Sequence, residues 1–345
     1  MNVLVVSNAA PFIRGGAEEL AEHLVIQLQQ VKGVDAELLR IPFTWEPADR
    51  IVGQILLNKN LRLANVDRVI AMKFPAYIVP HDNKTFWLMH QYRQAYDLDK
   101  EGTTNIPFDA DGDKVRAAIR IADKACFASA KEIFTISPVV SNRLMEFNGV
   151  RSSVLHHPLN DPEAFIAKDY QNYVFAGGRI SSGKRQHILI EAMKYTRSNI
   201  NLVVVGPAEN QVYVEELKKL IEVNDLNSRV QLKLGFAPRA EIIEYVNRAR
   251  ACASIPIDED SMSYVAMEAF AAGKSVVTAL DSGGLLELVK DKESGYVVPP
   301  QPREIAKAFD ALADINNAMT LGRAARNSWT ELDITWASRI DRLLG

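Results

Sequence analysis

Short apolar runs alternate with amphipathic ones along most of this chain. Residues 3–7 (Val-Leu-Val-Val-Ser) form an apolar run of strand length, residues 17–31 carry Leu20, Leu24 and Leu28 at a four-residue step, and residues 36–41 are again largely apolar. A step of four puts side chains on one helix face, whereas a short unbroken apolar run suits a strand covered on both sides. Strand, helix, strand at this spacing predicts a parallel sheet. Further strands are predicted over 66–71, 85–89, 132–136 and 153–155, with a long helix over 113–130 and another opened by Pro138 and closed near Gly149. Proline fits the first helical position because its missing N–H costs nothing there. This half reads as one doubly wound domain.

Between about residues 157 and 171 the pattern fails: Pro158, Pro162 and several polar residues mark an interdomain linker. A second series of strands follows over 173–176, 202–205, 229–234, 251–255, 275–278 and 295–298, separated by helical stretches. Its strand ends carry more glycine and charge than those of the first half, and ligands of open α/β sheets bind beyond strand carboxyl ends. After Pro302 the chain reads as helical to its end, with Trp329 and Trp336 on one face as core positions.

A length of 345 residues suits two such domains, and 48 % hydrophobic residues suffice for a core in each. The formal net charge of −3 leaves no overall electrostatic footprint for nucleic acid. Cys126 and Cys252, one in each half and both in apolar contexts, read as free buried thiols in a reducing compartment. The N-terminal run lacks a charged start and a small-residue cleavage site, so it reads as a first strand and not a signal peptide. No run approaches the ~18 apolar residues that span a bilayer. The expected location is cytoplasmic, with peripheral contact at the inner face of the membrane left open.

Several stretches carry candidate chemistry. Gly15-Gly16 follows the first strand, where glycines admit an anion to backbone N–H groups and a helix start adds partial positive charge; a tight strand-to-helix turn calls for glycine equally. The matching junction in the second half reads Gly177-Gly178-Arg179-Ile-Ser-Ser-Gly183-Lys184. Arginine forks two phosphate oxygens, lysine adds a mobile charge, and a helix starting near Lys184 points its N-terminus the same way, which together read as a phosphate or diphosphate site. The spacing matches neither Gly-x-x-x-x-Gly-Lys-Ser/Thr nor Gly-x-Gly-x-x-Gly, so neither an ATPase nor a dehydrogenase is indicated. His90 ends a first-half strand and points toward the ligand crevice of such a sheet, or serves as a hydrogen-bonded structural histidine. His156-His157 precede Pro158 with no further ligand at metal spacing and read as linker residues.

The remaining stretch is Asp260-Ser-Met-Ser-Tyr-Val-Ala-Met-Glu268 followed by Ala-Phe-Ala-Ala-Gly273. Two acids eight residues apart flank a polar turn containing Ser263, a helix is predicted over 264–272, and a glycine stops it before a strand. Ionised carboxylates accept several hydrogen bonds in fixed directions, which suits sugar hydroxyls. Each acid alone is also the charge favoured near a helix N-terminus. Their combination with the glycine and the strand behind it favours the functional reading.

The order strand, Gly-Gly-Arg-x-x-x-x-Lys, acid-x7-Glu-Ala-x-Ala-x-Gly-x-x-Val-Val, Gly283-Gly284-x-x-Glu287 and Gly295-Tyr-Val-Val resembles the GT-B glycosyltransferases of family 4. The resemblance covers nearly the whole chain and is strongest over 174–299. It implies two Rossmann-like doubly wound α/β domains facing across a cleft: an acceptor-side domain over 1–160, a nucleotide-sugar-binding domain over 161–325, and a final helix over 326–345 packing back on the first. It further implies a nucleotide diphosphate sugar donor, UDP- or GDP-linked, with no divalent metal or other cofactor, and retention of anomeric configuration. By the same resemblance Arg179 and Lys184 hold the diphosphate and stabilise it as it leaves, and Glu268 binds the ribose. Gly16 beside Gly15 meets the distal phosphate, His90 touches the donor sugar, and Asp260 with Ser263 completes the sugar grip. The chain departs from the family at Asp260, where glutamate is usual. One methylene fewer retracts the carboxylate by about 1.3–1.5 Å, so either the loop moves in or Glu259 takes the role. The turn 261–263 also lacks the family's glycines.

The expected function is a retaining glycosyltransferase moving a hexose-type sugar to an acceptor hydroxyl of a carbohydrate or lipid-linked acceptor, in surface polysaccharide or glycolipid synthesis. A nucleotide-sugar epimerase and a nucleotide-sugar-binding protein without turnover are the alternatives. Lys73 and Arg93, on first-half loops, are candidates for an anionic acceptor group or polar residues of an ordinary cleft wall.

Overall fold

Two six-stranded sheets, all of whose strands pair in parallel, organise the chain. The computed structural model describes residues 1–12 and 15–345. One unit comprises Met1–Pro158 with Thr335–Gly345, the other Leu159–Ile334. In the first, β1 (Asn2–Ala9), β2 (Asp35–Pro42), β3 (Arg68–Lys73), β4 (Lys84–His90), β5 (Glu132–Thr135) and β6 (Ser153–Val154) lie in the order β2-β1-β3-β4-β5-β6. The helices between them are α1 (Gly16–Leu28), α2 (Arg50–Asn60), the single turn α3 (Asp97–Lys100), α4 (Ala110–Ala128) and α5 (Pro138–Asn148). β3 and β4 are buried along almost their whole length, which is why they read as unbroken apolar runs.

The second unit repeats the plan. Strands β7 (Tyr173–Gly177), β8 (Asn201–Gly206), β9 (Val230–Leu234), β10 (Ala251–Ala253), β11 (Val276–Ala279) and β12 (Gly295–Val298) lie in the order β12-β11-β10-β7-β8-β9. Around them run α6 (Gln186–Ala192), α7 (Gln211–Val223), α8 (Arg239–Arg248), α9 (Tyr264–Ala271), α10 (Leu285–Leu288), α11 (Pro302–Ala313) and α12 (Ile315–Glu331). The strand order reverses between β1 and β3 in the first sheet and between β7 and β10 in the second. At such a point successive loops leave in opposite directions and open a crevice beyond the strand ends. The loop after β7 carries Arg179 and Lys184, the loop after β10 carries Glu259 and Asp260, and the loop after β1 leads to Gly15-Gly16.

Local chemistry sets the helix ends. Ser137 Oγ accepts the N–H of Val140 to cap α5, Pro138 fills its first position, and Gly149 closes it in the left-handed region at φ 65°. Asp109 accepts N–H bonds from Asp111 and Gly112, so α4 starts three residues earlier than its apolar period suggests. Cys126 and Cys252 are both buried and unpaired with one another.

The C-terminal stretch corrects the sequence expectation. Residues 302–344 are helical as expected, in three helices, but the one expected over 326–345 is interrupted: α12 ends at Glu331 before α13 (Trp336–Leu344) begins. Asp333 turns the chain at φ 42°. Trp329 packs in the core of the second unit, whereas Trp336 meets Trp87 edge-on at 6.1 Å in the core of the first. Arg68 anchors α13 by donating to the carbonyl of Leu343 at 2.7 Å, and Arg339 donates to that of His156 at 3.0 Å. The seven-residue spacing of the tryptophans therefore reflects two separate cores rather than one helical face.

A buried acid organises the segment following β4. Asp123 on α4 is fully buried and accepts hydroxyl hydrogen bonds from Tyr77 and Tyr96, each at 2.8 Å. Asn148 donates to the Tyr96 oxygen at 3.1 Å, and Gln91 donates to Asn148 at 2.9 Å. This chain of bonds ends one residue beyond His90. Burial pushes the Asp123 carboxyl up to about 7, against the lowering effect of the two tyrosines. The folded chain thus keeps this proton to near pH 7 while the unfolded chain releases it near 4. In that window the folded state binds more protons, so stability falls as pH rises from about 4 to 7 and levels off above it. Asp123→Asn is expected to remove this slope and to be the more stable protein at pH 8, by on the order of 1 kcal/mol or more, with little difference at pH 4. Denaturant midpoints measured at the two pH values check it.

Candidate functional site

The loop after β7 is built on close backbone approach. Gly178 has φ 104°, and a Cβ at Gly206 would lie 1.9 Å from the Gly178 carbonyl oxygen, so β8 can pass only because that residue is glycine. Gln186 ties the loop to itself: its amide donates to the Arg179 carbonyl at 2.9 Å and its side-chain oxygen accepts the Ser181 N–H at 3.2 Å. A 3-10 turn over Ser182–Lys184 precedes α6, so the α-helix starts at Gln186, slightly later than expected. Arg179 is half-exposed, with the Glu209 carboxylate 4.0 Å away.

Arg185, which sequence reasoning passed over, holds the site together. It sits in the left-handed region at φ 56° and is 6 % exposed. Its Nε donates to the carbonyl of Ile255 at 2.6 Å and its Nη2 to that of Pro256 at 3.0 Å; Nη1 and Nη2 fork the Asp281 carboxylate at 2.8 and 2.7 Å. The guanidinium holds the Asp281 carboxyl below its ordinary range. One buried side chain therefore fastens the loops after β7, β10 and β11.

The acid loop is fixed by its own backbone. The Ile257 N–H donates to the Gly183 carbonyl at 2.9 Å, that of Asp258 to Asp281 at 2.8 Å, and that of Gly284 to Glu259 at 2.8 Å. A Cβ at Gly283 would lie 2.4 Å from the Glu259 carbonyl oxygen, and one at Gly284 2.6 Å from the Ser261 carbonyl carbon. Gly283-Gly284 thus lets one loop lie directly against the other. On that frame the Glu259 carboxylate meets the Lys184 ammonium. Asp260 follows on the same turn, half-buried, and Ser263 stands before α9 without capping it through its hydroxyl.

Glu268, on α9, is 4 % exposed and receives Arg239, whose guanidinium also forks Asp161 and lies 4.9 Å over the Phe165 ring. Arg239 and Asp161 are a second pair that motif reading missed; a lone arginine after Pro238 gives no local signal. Gly273 stops α9 at φ 65°. Glu287 stands in α10, where burial pushes its carboxyl up to about 7.

In the first unit Gly15 is extended and Gly16 opens α1, while the preceding residues 13–14 lie outside the described ones. His90 ends β4 in register with Lys73 of β3, with Nδ1 2.6 Å from the Gln91 carbonyl oxygen. A carbonyl oxygen only accepts, so Nδ1 is the donor of this bond. The cations considered for an anionic acceptor both have carboxylate partners: Lys73 with Glu18 at 3.3 Å and Arg93 with Asp97 at 2.7 Å. His156 Nδ1 lies 3.1 Å from the Ile136 carbonyl oxygen, and burial lowers its pKa.

A cavity of about 580 Å³ in the second unit lies elsewhere. Tyr173, Asn201 and Val230, at the amino ends of β7, β8 and β9, line it together with Glu241 and Tyr245 of α8. It opens on the edge opposite to the glycine loop. Among the described residues no group of three or more His, Cys, Asp or Glu side chains gathers to hold a metal, and no helix is long and apolar enough to cross a membrane.

Residues 160–328 match the family described as glycosyl transferases group 1. An uncharacterized glycosyltransferase of Methanocaldococcus jannaschii is 30% identical over 155 residues, covering 44% of this chain and 38% of the relative. One from Haemophilus influenzae is 26% identical over 162 residues, covering 45% and 43%. The matched region thus spans less than half the length of either relative. Over the whole chain, Anabaena HepE, solved in complex with UDP and glucose, superposes with a TM-score of 0.73 at 19% identity, covering 100% of this chain and 98% of that one. Sucrose-phosphate synthase from Thermosynechococcus elongatus gives 0.72 at 17% identity, covering 99% and 97%. The two parallel six-stranded sheets with flanking helices are of GT-B type, and residues 160–328, within the second unit but for its first residue and its last six, are similar to the glycosyl transferases group 1 family.

Arg185→Met, close in length but without donors, is expected to orphan the Ile255 and Pro256 carbonyls and to destabilise the chain by about 1–3 kcal/mol for each buried acceptor left unpaired. Arg185→Lys should recover little, because an ammonium lacks the fork. Unfolding midpoints of the two variants against the parent check both statements.

Proposed function

We propose that this chain is a retaining glycosyltransferase that moves a hexose-type sugar from a nucleoside diphosphate sugar, UDP- or GDP-linked, to an acceptor hydroxyl. The observation that carries the reading is the constellation at the β7/β10 switch point. Arg179 and Lys184 stand on a glycine loop, with Glu259 and Asp260 on the adjoining loop and the buried Glu268 behind them on α9. The family match over residues 160–328 and the UDP held by the HepE neighbour support a nucleotide-sugar donor.

The roles follow from charge. Cleaving the sugar–phosphate bond builds negative charge on the departing diphosphate, and Arg179 and Lys184 offset it in place. Gly15 and Gly16 present backbone N–H groups to the distal phosphate at the start of α1. Glu268 accepts from the ribose hydroxyls, with Arg239 orienting its carboxylate. Asp260, Ser263 and His90 meet the sugar, and His90 does so through Nε2. Attack from the face the diphosphate leaves, assisted by that phosphate, retains configuration without a protein nucleophile. The acceptor, a carbohydrate or lipid-linked hydroxyl of a surface polysaccharide or glycolipid, is assigned to the first unit, with peripheral contact at a membrane surface.

A thermal-shift panel of UDP-, GDP-, ADP- and dTDP-sugars tests the donor. A ligand at 100 times its dissociation constant that binds only the folded chain adds about 2.7 kcal/mol. One nucleotide series is expected to raise the midpoint. Lys184→Ala and Arg179→Ala should abolish that rise and cut transfer by about 10²–10³-fold. Lys184→Ala turning over donor at the parent rate would exclude the mechanism. A donor converted without acceptor to a new nucleotide sugar would indicate an epimerase, and tight binding without transfer a binding protein.

A further inference from the structure

We propose that Glu259, one residue before the acid the family motif marks, is a latch on Lys184: it releases when a donor diphosphate takes the lysine, and it then serves the donor sugar. The inference rests on the nucleotide-sugar reading above.

The contact is built into the backbone. Glu259 is held at both ends of its turn: its own carbonyl accepts from Gly284 at 2.8 Å, and Asp258 donates to Asp281 at 2.8 Å. The Lys184 side is held equally, because the Gly183 carbonyl accepts from Ile257 at 2.9 Å and Arg185 fastens the two loops through Ile255 and Pro256. The two side chains are about equally accessible, 34 % and 25 % exposed, so a ligand on the glycine loop reaches both. Neither Gly283 nor Gly284 tolerates a Cβ without displacing this turn, so the pair depends on a close approach that other residues forbid.

Competition follows from charge. A diphosphate on the loop needs the same ammonium, and a carboxylate beside it is a like charge. The carboxylate is therefore displaced toward the part of the donor that bears no charge, which is the sugar, where its oxygens accept hydroxyl hydrogen bonds. A complete donor regains, through those hydroxyls, what breaking the ion pair costs. A bare nucleoside diphosphate breaks the pair and regains nothing. The latch thus favours the sugar-bearing donor over the spent nucleotide and speeds product release. It also eases the difficulty of the short Asp260, since the longer glutamate next to it adds its own contact to the sugar.

Glu259→Gln keeps the shape and removes the charge. In this variant UDP is expected to bind about three- to tenfold more tightly than to the parent, from the lost ion pair and the lost like charge. UDP-glucose should gain less, so the preference for sugar-bearing donor over UDP narrows. Acylation of Lys184 by acetic anhydride, read by mass spectrometry, reports the latch without a nucleotide. It should speed up in Glu259→Gln, stay at the parent rate in Asp260→Asn, and fall again in Glu259→Gln when UDP is added. Unchanged Lys184 acylation in Glu259→Gln would overturn the latch, as would UDP binding to the parent but no more tightly to the variant. If UDP binds none of the three proteins, both the donor reading and the competition drawn from it fall, even where acylation responds.

Discussion

The candidate site depends on one buried guanidinium. Arg185 occupies a left-handed backbone position, which costs a side-chain-bearing residue on the order of 1 kcal/mol or more, and its four hydrogen bonds to Ile255, Pro256 and Asp281 offset that strain. Because the donors form a rigid planar fork, the carbonyls and carboxylate they meet are fixed in direction as well as distance. Arg185 reaches partners 70 to 96 residues further along the chain, and three loops are thereby held as one surface. The catalytic candidates Lys184 and Glu259 owe their meeting to this frame rather than to any preference of their own.

Glycines supply the second half of that frame, and they do so by what they lack. Gly206 under Gly178, and Gly283-Gly284 against the 259–261 turn, are places where a methyl group would overlap backbone at 1.9–2.6 Å. By sequence the Gly-Gly-Arg stretch reads mainly as an anion cradle. Gly178, with φ 104°, and Gly206, on the neighbouring strand, show that much of the glycine content serves packing of loop on strand. A Cβ at Gly183 would meet no atom within 4 Å, so that glycine leaves room beside the loop.

Much of the fold was legible because its signals are local. The strands are runs of apolar residues, α5 is bracketed by Ser137, Pro138 and Gly149, and the second series of strands repeats the first. The chain after Pro302 is helical as its pattern says, but the single face through Trp329 and Trp336 fails for the same reason: the two satisfy a helical repeat, yet the break at 332–335 sends them to separate cores. Of the candidate site, Arg179, Lys184, Glu259 and Asp260 are visible as charges on turns near glycines, and Glu268 as an acid in a helix that a glycine stops. Arg185, Arg239, Asp161 and Asp281 were not, since each acts on partners far along the chain and no spacing rule announces it.

The sequence by itself determined the two parallel sheets, their approximate strand and helix positions, and the acids and cations available at the carboxyl ends of the strands. Periodicity and capping depend only on neighbours within a turn or a strand, so they survive reading in one dimension. Which acid faces Lys184 was decided by the tertiary structure alone. Asp260 holds the motif position, but the turn carrying it is set by the Gly284–Glu259 hydrogen bond and by the Arg185 fork, and these direct Glu259 to the lysine. Two acids stand side by side in that turn, and only the atoms packed around it fix which of them meets the lysine.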